Sequence, residues 1–288
     1  ISDDSNRSKN FGMIGAAFGL GFIIGPVIGG LLGQFGSRVP FYAAAVLCLV
    51  NFAYGYFILP ESLGKEHRRP FEWKRANPVG SLLKVRTHPE ILKLFIAWFL
   101  VYLASHAVQT NWAYFTMYKF AWDEKTVGIS LGVMGAFTAF VQGFLIRKVH
   151  PKLGSERSIL YGIMFYCTGM LLFAFAQKEW MMYAILAIYC LGGIAGPALQ
   201  SVISSKVSPK EQGDLQGALT SVISITSIIG PLLMTQIFYF FTHPDAKIKL
   251  LTLELKPPFQ FSGAPFFLGF ALMAASAYFV YYVFHRKK

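Results

Sequence analysis

The stretch Gly21-Phe-Ile-Ile-Gly25-Pro26-Val-Ile-Gly29-Gly30 lies within an uncharged run that extends over residues 11–33. On a helix that turns 100° per residue, its glycines at every fourth position, continued by Gly33, fall on one face. Such a ladder lets two helices approach closely in lipid, where packing drives helix association. Pro26 removes one backbone hydrogen bond and bends the helix. The stretch therefore predicts a membrane helix with one closely packing face.

The composition excludes a water-soluble protein. Of the 288 residues, 55% are hydrophobic and 14% are charged, whereas roughly 25% are charged in soluble domains. A membrane helix needs about 20 apolar residues, and eight runs of that kind are separated by links that contain charges or proline. We therefore predict an all-α membrane protein with the spans Phe11–Gly33, Val39–Leu59, Ile91–Tyr114, Val127–Ile146, Ser158–Ala176, Trp180–Ser205, Gly213–Phe241 and Ser262–Phe284.

The net charge of +12 comes from Lys and Arg in small groups between the apolar runs. If the links alternate sides, 19 of the 26 Lys and Arg residues fall on one side, which the positive-inside rule assigns to the cytoplasm. Both chain ends are then cytoplasmic, and the scattered charges do not form a stripe for nucleic acid. The long cationic link 60–90 divides the chain into segments 1–59 and 91–288.

The sequence does not support an enzyme, a cofactor or a metal site. Cys48, Cys167 and Cys190 lie within apolar runs and show no CxxC or Cys/His spacing. The residue pattern contains neither a phosphate-binding loop nor an arrangement of nucleophile and base. We expect a monomer whose partners are the lipid bilayer and a small molecule.

An internal repeat indicates that the chain was built by duplication. The tetrapeptide Ile23-Ile24-Gly25-Pro26 recurs as Ile228-Ile229-Gly230-Pro231, and five predicted spans lie between the two helices that carry it. The repeat unit therefore holds six helices, as in transporters made of two parallel halves. The first unit lacks four helices, so we expect roughly 120 further residues upstream of Ile1 on this repeat logic.

The glycine stretch resembles the antiporter signature in the fifth helix of the major facilitator superfamily, in its twelve-helix drug/proton antiporters. The segments Asn10–Gly19, Gly192–Gln200 and Glu211–Gly217 are similar to the tetracycline-efflux branch of that family. The resemblance implies the major facilitator fold with helices five to twelve of twelve present. Residues 1–59 would end the N-terminal half, 60–90 would be the central cytoplasmic linker, and 91–288 would form the C-terminal half. Gly21, Gly25, Pro26, Gly29 and Gly30 would be the motif residues.

The resemblance also implies a cytoplasmic gate loop between helices eight and nine, near residues 143–157. Its charged candidates are Arg147, Glu156 and Arg157. No Asp occupies the first acidic position of the family pattern. A gating salt bridge and a solvated run of positive charge therefore both remain open.

No acidic residue lies within a predicted span, so the candidates for a substrate or proton pathway are His106 and several amides. An intramembrane His titrates near neutrality and is costly to bury, so His106 either relays a proton or is a neutral side chain satisfied by another helix. The amide candidates either line a cavity or join helices; they are Gln109, Asn111, Gln142, Gln200 and Gln216. Trp112, Tyr114, Trp122 and Trp180 lie near predicted helix ends, which is typical of an interfacial belt.

The resemblance implies export of a small, partly hydrophobic, tetracycline-like drug in exchange for protons, from a multi-pass protein of the bacterial inner membrane. Two alternatives remain open. The chain could belong to an uptake transporter for a sugar or metabolite. Several polar and charged residues facing the cavity would favour that alternative. The chain could also be a truncated membrane scaffold that does not transport.

Overall fold

The computed structural model describes residues 38–60, 89–207, 211–245, 248–250 and 253–285, together with scattered positions between 13 and 36. Nine of the described positions between 17 and 33, and Met13, are helical. Six helical stretches in the described ranges are long and apolar enough to cross a membrane. The prediction of an all-α membrane protein is confirmed.

Eight α-helices are fully delimited in the described ranges, and two of them begin at clear local signals. Pro40 stands in the first turn of α1, where a missing backbone N–H costs nothing. Asp123 caps α3 by accepting a hydrogen bond from the Thr126 backbone N–H at 2.8 Å. The helices are α1 Val39–Phe57, α2 Pro89–Phe120, α3 Glu124–Phe140, α4 Ile146–Phe175, α5 Glu179–Leu191, α6 Ala195–Ser205, α7 Gln212–Thr242 and α8 Ala264–His285.

The link predicted at 147–157 is shorter than expected, because this segment is helical except at Gly154, whose φ is +74°. A π-helix at Val141–Leu145 joins α3 to α4. A straight helix would separate Gln142 from Tyr166 by about 36 Å, yet both side chains contact the neighbouring glycines 193 and 192. The chain therefore folds back at Gly154, where glycine tolerates a positive φ. One helical stretch thus makes two membrane crossings.

Two predicted boundaries also differ from the structure. The span expected to end at Tyr114 continues as α2 to Phe120, because the Thr116 hydroxyl donates to the Trp112 carbonyl oxygen at 2.8 Å and is satisfied within the helix. The span Trp180–Ser205 is divided by a 3-10 turn at Gly192–Ile194. The link after α7 contains a two-stranded antiparallel ribbon, β1 Ile248–Leu250 paired with β2 Leu253–Leu255, in which Lys249 opposes Glu254.

Helix α2 is the central element of a six-crossing bundle and packs against both α7 and α8. Helix α8 runs antiparallel to α2, since the Ser276 hydroxyl donates to Ala97 at 3.0 Å and Phe266 contacts Phe115 farther along. Helix α8 also packs against α4, which in turn packs against α5 and α6, while α3 lies against α5. The buried core lies between these helices, around Phe115, Phe173 and Phe266.

Close helix contacts use glycines other than those of the ladder. A Cβ on Gly162 or Gly169 of α4 would overlap Ala195 or Tyr189, and one on Gly263 would overlap the backbone of Ala174. By contrast, a Cβ on any of the ladder glycines 21, 25, 29 and 33, or on the α3 glycines 128 and 132, would meet nothing within 4 Å. The predicted close packing of the ladder face against another helix is therefore wrong for the described residues.

Candidate functional site

His106 lies at the contact between α2 and α7. Its side chain is 8% exposed, and a Cβ added to Gly230 would overlap its imidazole ring. The bare backbone of Gly230 is therefore what allows the ring to fit. Gly230 is the glycine of the second Ile-Ile-Gly-Pro repeat, so one predicted pathway residue and one repeat motif meet in space. His106 makes no hydrogen bond or ion pair with another residue of the described ranges.

Both helices of this contact carry further polar side chains near it. Gln109 is exposed, one turn beyond His106, and its Nε2 donates to the Ser105 hydroxyl at 3.1 Å. On α7, Thr220, Ser224 and Ser227 are exposed and precede Gly230. The Ser227 hydroxyl donates to the Ile223 carbonyl at 2.9 Å, so its oxygen can still accept a hydrogen bond. Helices α2 and α7 together present a surface on which these polar groups are interspersed with exposed apolar side chains such as Ile228.

Asn111 does not lie on that surface. Its side chain is fully buried, and neither its Nδ2 nor its Oδ1 has a hydrogen-bond partner in the described structure. Burying an amide without partners is costly. On a helix, position 111 shares a face with Ala104 and Ala107, which contact the backbone at Gly269 of α8. Asn111 is therefore on the α8 side of α2, apart from His106.

Besides Gln109, two of the glutamine candidates contact each other and one lies on a distorted segment. Gln200 of α6 donates its Nε2 to Gln216 Oε1 of α7 at 3.1 Å. Gln142 lies in the π-helix and its side chain reaches Gly193. Single-turn π-helices occur frequently at functional sites because they displace one residue from the regular helical register. These amides therefore join helices while remaining partly exposed.

The gate-loop candidates do not form a cluster with each other. Arg147 and Arg157 are exposed, and neither makes an ion pair with a described residue. Glu156 instead faces the end of α8, where its Oε1 lies 3.5 Å from His285 Nδ1. This contact joins the fold-back of α4 near Gly154 to the end of α8. An ion pair between Glu156 and either arginine is absent from the described structure.

The structure describes three of the five motif residues. Gly21 and Gly25 are exposed helical positions and Gly29 is half-buried. Pro26 and Gly30 lie outside the described residues. The structure therefore places the described motif glycines on a helix surface that is open to other chains or lipid.

The interfacial position expected for Trp112 is wrong. Its ring is 2% exposed and its Nε1 donates to the Ser130 hydroxyl of α3 at 2.8 Å. The expectation failed because α2 extends well beyond Tyr114. Sequence reasoning also missed Gln212, whose amide bonds Ser204 and Val207 at the α6–α7 turn. Its position just before an apolar run was the available signal, because polar residues there often cap helices.

Comparison with known proteins agrees with this architecture. Residues 1–231 match the profile of the Major Facilitator Superfamily. The chain is 37% identical over 238 residues to the class C tetracycline resistance protein of Escherichia coli, covering 83% of this chain and 60% of that protein. It is 35% identical over 235 residues to the class G protein of Vibrio anguillarum, with coverages of 82% and 60%. The chain thus spans about 60% of the length of these relatives.

The fold is similar to the crystal structure of the human organic anion transporter MFSD10. The TM-score is 0.78 at 20% sequence identity, and the match covers 97% of this chain and 65% of that one. The predicted major facilitator fold is confirmed, as is the resemblance to tetracycline resistance proteins. Because the family profile extends over residues 1–231, this integral membrane chain belongs to the Major Facilitator Superfamily.

Proposed function

We propose that the protein exports a small, partly hydrophobic drug of the tetracycline type in exchange for protons. The observation that carries the proposal is the 37% identity to a class C tetracycline resistance protein over 83% of the chain. The drug and protons are its partners, the bilayer is its environment, and a monomer is its working unit. The outcome for the cell would be antibiotic resistance.

The proposed drug path runs along the polar surface of α2 and α7. Hydroxyl and amide groups on a lipid-facing surface are costly, so this surface belongs against a water-filled cavity. Gln109, Ser224 and Ser227 are exposed there, and they can bond the polar groups of a drug while neighbouring apolar side chains contact its rings. Gln142, Gln200 and Gln216 extend the set of amides toward the cytoplasm-assigned side.

His106 is the proposed titratable group of this surface. Elsewhere in the described helices, every Asp, Glu and other His lies in an end turn or beside the break at Gly154. An imidazole can accept and release a proton near neutral pH. His106 and Gly230 both belong to segment 91–288, so their contact would move as one body when the two halves rock against each other in alternating access.

The proposed topology puts both chain ends in the cytoplasm of a bacterial cell, with the protein in the inner membrane. Segments 1–59 and 91–288 belong to the two halves, and 60–90 links them. Of that linker, residues 61–88 lie outside the described ranges. The Lys and Arg distribution supports this orientation.

The test uses inside-out vesicles from bacteria that express the gene. An acidic lumen should drive accumulation of labelled tetracycline, and drug addition should release lumenal protons, measured with a pH-sensitive dye. His106→Gln should reduce drug-dependent proton release by about tenfold or more, as expected when a positioned proton-transfer group is lost. His243→Gln is the matched control, because His243 lies at the exposed end of α7.

Two results would overturn the proposal. Drug accumulation that persists after the pH gradient is collapsed would exclude proton exchange. Equal proton release by the His106→Gln and His243→Gln proteins would exclude His106 as the titrating group, while leaving drug export itself intact.

A further inference from the structure

A depression of about 830 Å³ opens on the side of the bundle opposite to the cation-rich links. It lies between the end of α2 and the start of α5, and it is open to its surroundings. Its lining combines charged and amide side chains with aromatic ones, and Trp180 is the exposed aromatic residue at its rim; the residues are Lys119, Phe120, Ala121, Gln177, Lys178, Glu179, Trp180 and Tyr183. None of these residues belongs to the proposed drug path.

Two lysines line this depression, on a side of the bundle that has few Lys and Arg residues. Only 7 of the 26 Lys and Arg residues fall on this side, and Lys119 and Lys178 both line the depression. Neither ammonium lies within 4.0 Å of a described carboxylate. Glu179 is the single acidic residue of the lining, so the site carries a net charge of +1 made of separated charges. Such a site favours a zwitterionic ligand, in which a negative group and a positive group lie close together.

The start of α5 adds donors for an anion. The residue before the helix, Lys178, makes no side-chain cap, so the first backbone N–H groups of α5 are not bonded by a capping side chain. The Met181 N–H donates to the Lys178 carbonyl at 3.1 Å, which leaves the N–H groups of Glu179 and Trp180. Such N–H groups and the helix dipole at an N-terminus favour phosphate. Lys178 and Lys119, whose ammonium lies over the rings of Phe115 and Phe120, add positive charge that favours one phosphate group.

Aromatic rings form the other wall of the depression. Trp180 is 65% exposed at the rim, and Phe120 and Tyr183 lie on either side of the buried Trp122, at 6.2 and 5.6 Å between ring centroids. Exposed Trp at a helix end is typical of the headgroup level of a membrane. Aromatic faces also attract organic ammonium groups. The wall therefore suits an ammonium group attached to a membrane-anchored phosphate.

We propose that this depression binds the headgroup of a zwitterionic phospholipid, with its phosphate diester on Lys119 and Lys178 and its ammonium group near Glu179 and the aromatic rim. The position at the end of two membrane helices allows the acyl chains to remain in the adjacent leaflet. The volume accommodates a headgroup with its glycerol, and the opening provides access from the bilayer surface.

The experiment measures lipid retention by the full chain, purified in detergent and supplied with equal amounts of phosphatidylethanolamine and phosphatidylglycerol. Native mass spectrometry counts the lipids that remain bound. The doubly substituted Lys119→Gln/Lys178→Gln protein should retain both lipids about tenfold less, because two charge-assisted contacts are lost. Lys125→Gln is the matched control, since Lys125 is exposed on the same side but does not line the depression.

A second variant and two soluble competitors test the zwitterionic assignment. Glu179→Gln should lower the retained ratio of phosphatidylethanolamine to phosphatidylglycerol, because only the first lipid has an ammonium group. Glycerophosphoethanolamine should displace bound lipid, whereas inorganic phosphate at the same concentration should not.

Equal retention by the double variant and Lys125→Gln would overturn the site. An unchanged lipid ratio in Glu179→Gln, or displacement by inorganic phosphate alone, would overturn its assignment to a zwitterionic headgroup. Circular dichroism of each variant verifies that the helices are intact. None of these readouts depends on transport, so their failure is distinguishable from failure of the drug-export proposal.

Discussion

The imidazole ring of His106 in α2 lies against the backbone of Gly230 in α7, in the space that any larger residue at position 230 would occupy. This contact unites a rare intramembrane histidine with the second copy of the Ile-Ile-Gly-Pro repeat. The distance between α2 and α7 at this level therefore depends on the absence of a methyl group at position 230.

Gly230→Ala should destabilise the protein by about 1–3 kcal/mol, the usual cost of overpacking a close contact. The added Cβ would overlap three atoms of His106, so the ring or the helix must move. Thermal unfolding in detergent measures the change, and adding His106→Ala should restore much of the loss. Gly217→Ala is the matched control on the same helix, since its Cβ would meet nothing within 4 Å. Equal effects at both glycines would contradict the steric explanation.

Asn111→Leu should raise stability by about 1 kcal/mol, because a buried amide without partners is replaced by an apolar side chain of similar size. Both amide atoms of Asn111 lack partners in the described structure. Unfolding by a denaturing detergent provides the measurement. Asn51→Leu, at an exposed position of α1, should change stability by less than about 0.5 kcal/mol. A loss of stability in Asn111→Leu would mean that the amide has a partner in the membrane.

Gln212→Ala should cost about 1–3 kcal/mol, the range for leaving buried polar groups unpaired. The Gln212 amide donates to the Ser204 carbonyl at 2.7 Å and accepts from the Ser204 hydroxyl at 2.8 Å, which closes the turn between α6 and α7. Gln216→Ala loses one amide contact with Gln200 and should cost less. Thermal unfolding midpoints of the two variants provide the measurement. A larger loss in Gln216→Ala than in Gln212→Ala would show that the turn does not depend on Gln212.

The cap of α3 should make stability sensitive to acid. Side-chain and backbone hydrogen bonds from Thr126 lower the pKa of Asp123. A lowered pKa in the folded state contributes stability above the carboxyl's unfolded pKa, and this contribution is lost as the pH falls through the folded value.

Asp123→Asn keeps a capping oxygen but removes this titration. Below the ordinary carboxyl range, the wild-type thermal midpoint should therefore fall more than that of Asp123→Asn. Midpoints measured from neutral pH into that acidic range provide the test. Parallel curves for the two proteins would show that another group dominates acid sensitivity.

The membrane spans could be predicted because apolar length and loop charge are local properties. Val39–Phe57 and Gln212–Thr242 are within two residues of their predicted bounds at each end, since charge or proline adjoins each run. The end of α2 could not be located in the same way. Thr116 and Lys119 are polar by type, yet Thr116 satisfies itself within the helix and Lys119 lies over aromatic rings.

Several site residues could be named but not placed. His106 and Asn111 are five positions apart on one helix and equally polar in sequence, but one lies against α7 and the other on the α8 side. The rotation of α2 decides between these environments, and that rotation results from packing against two other helices. Composition could not distinguish the glycines that pack against another helix from those that have no neighbouring atoms.

The sequence by itself determined the membrane class, the order of the spans and the family, because these depend on residue types along the chain. Tertiary structure alone decided that the chain folds back at Gly154, that His106 meets Gly230, and that Lys119 and Lys178 share one depression. These relationships join residues from different helices. They depend on how each helix is rotated and how closely its neighbours approach, which the side chains of several helices settle together.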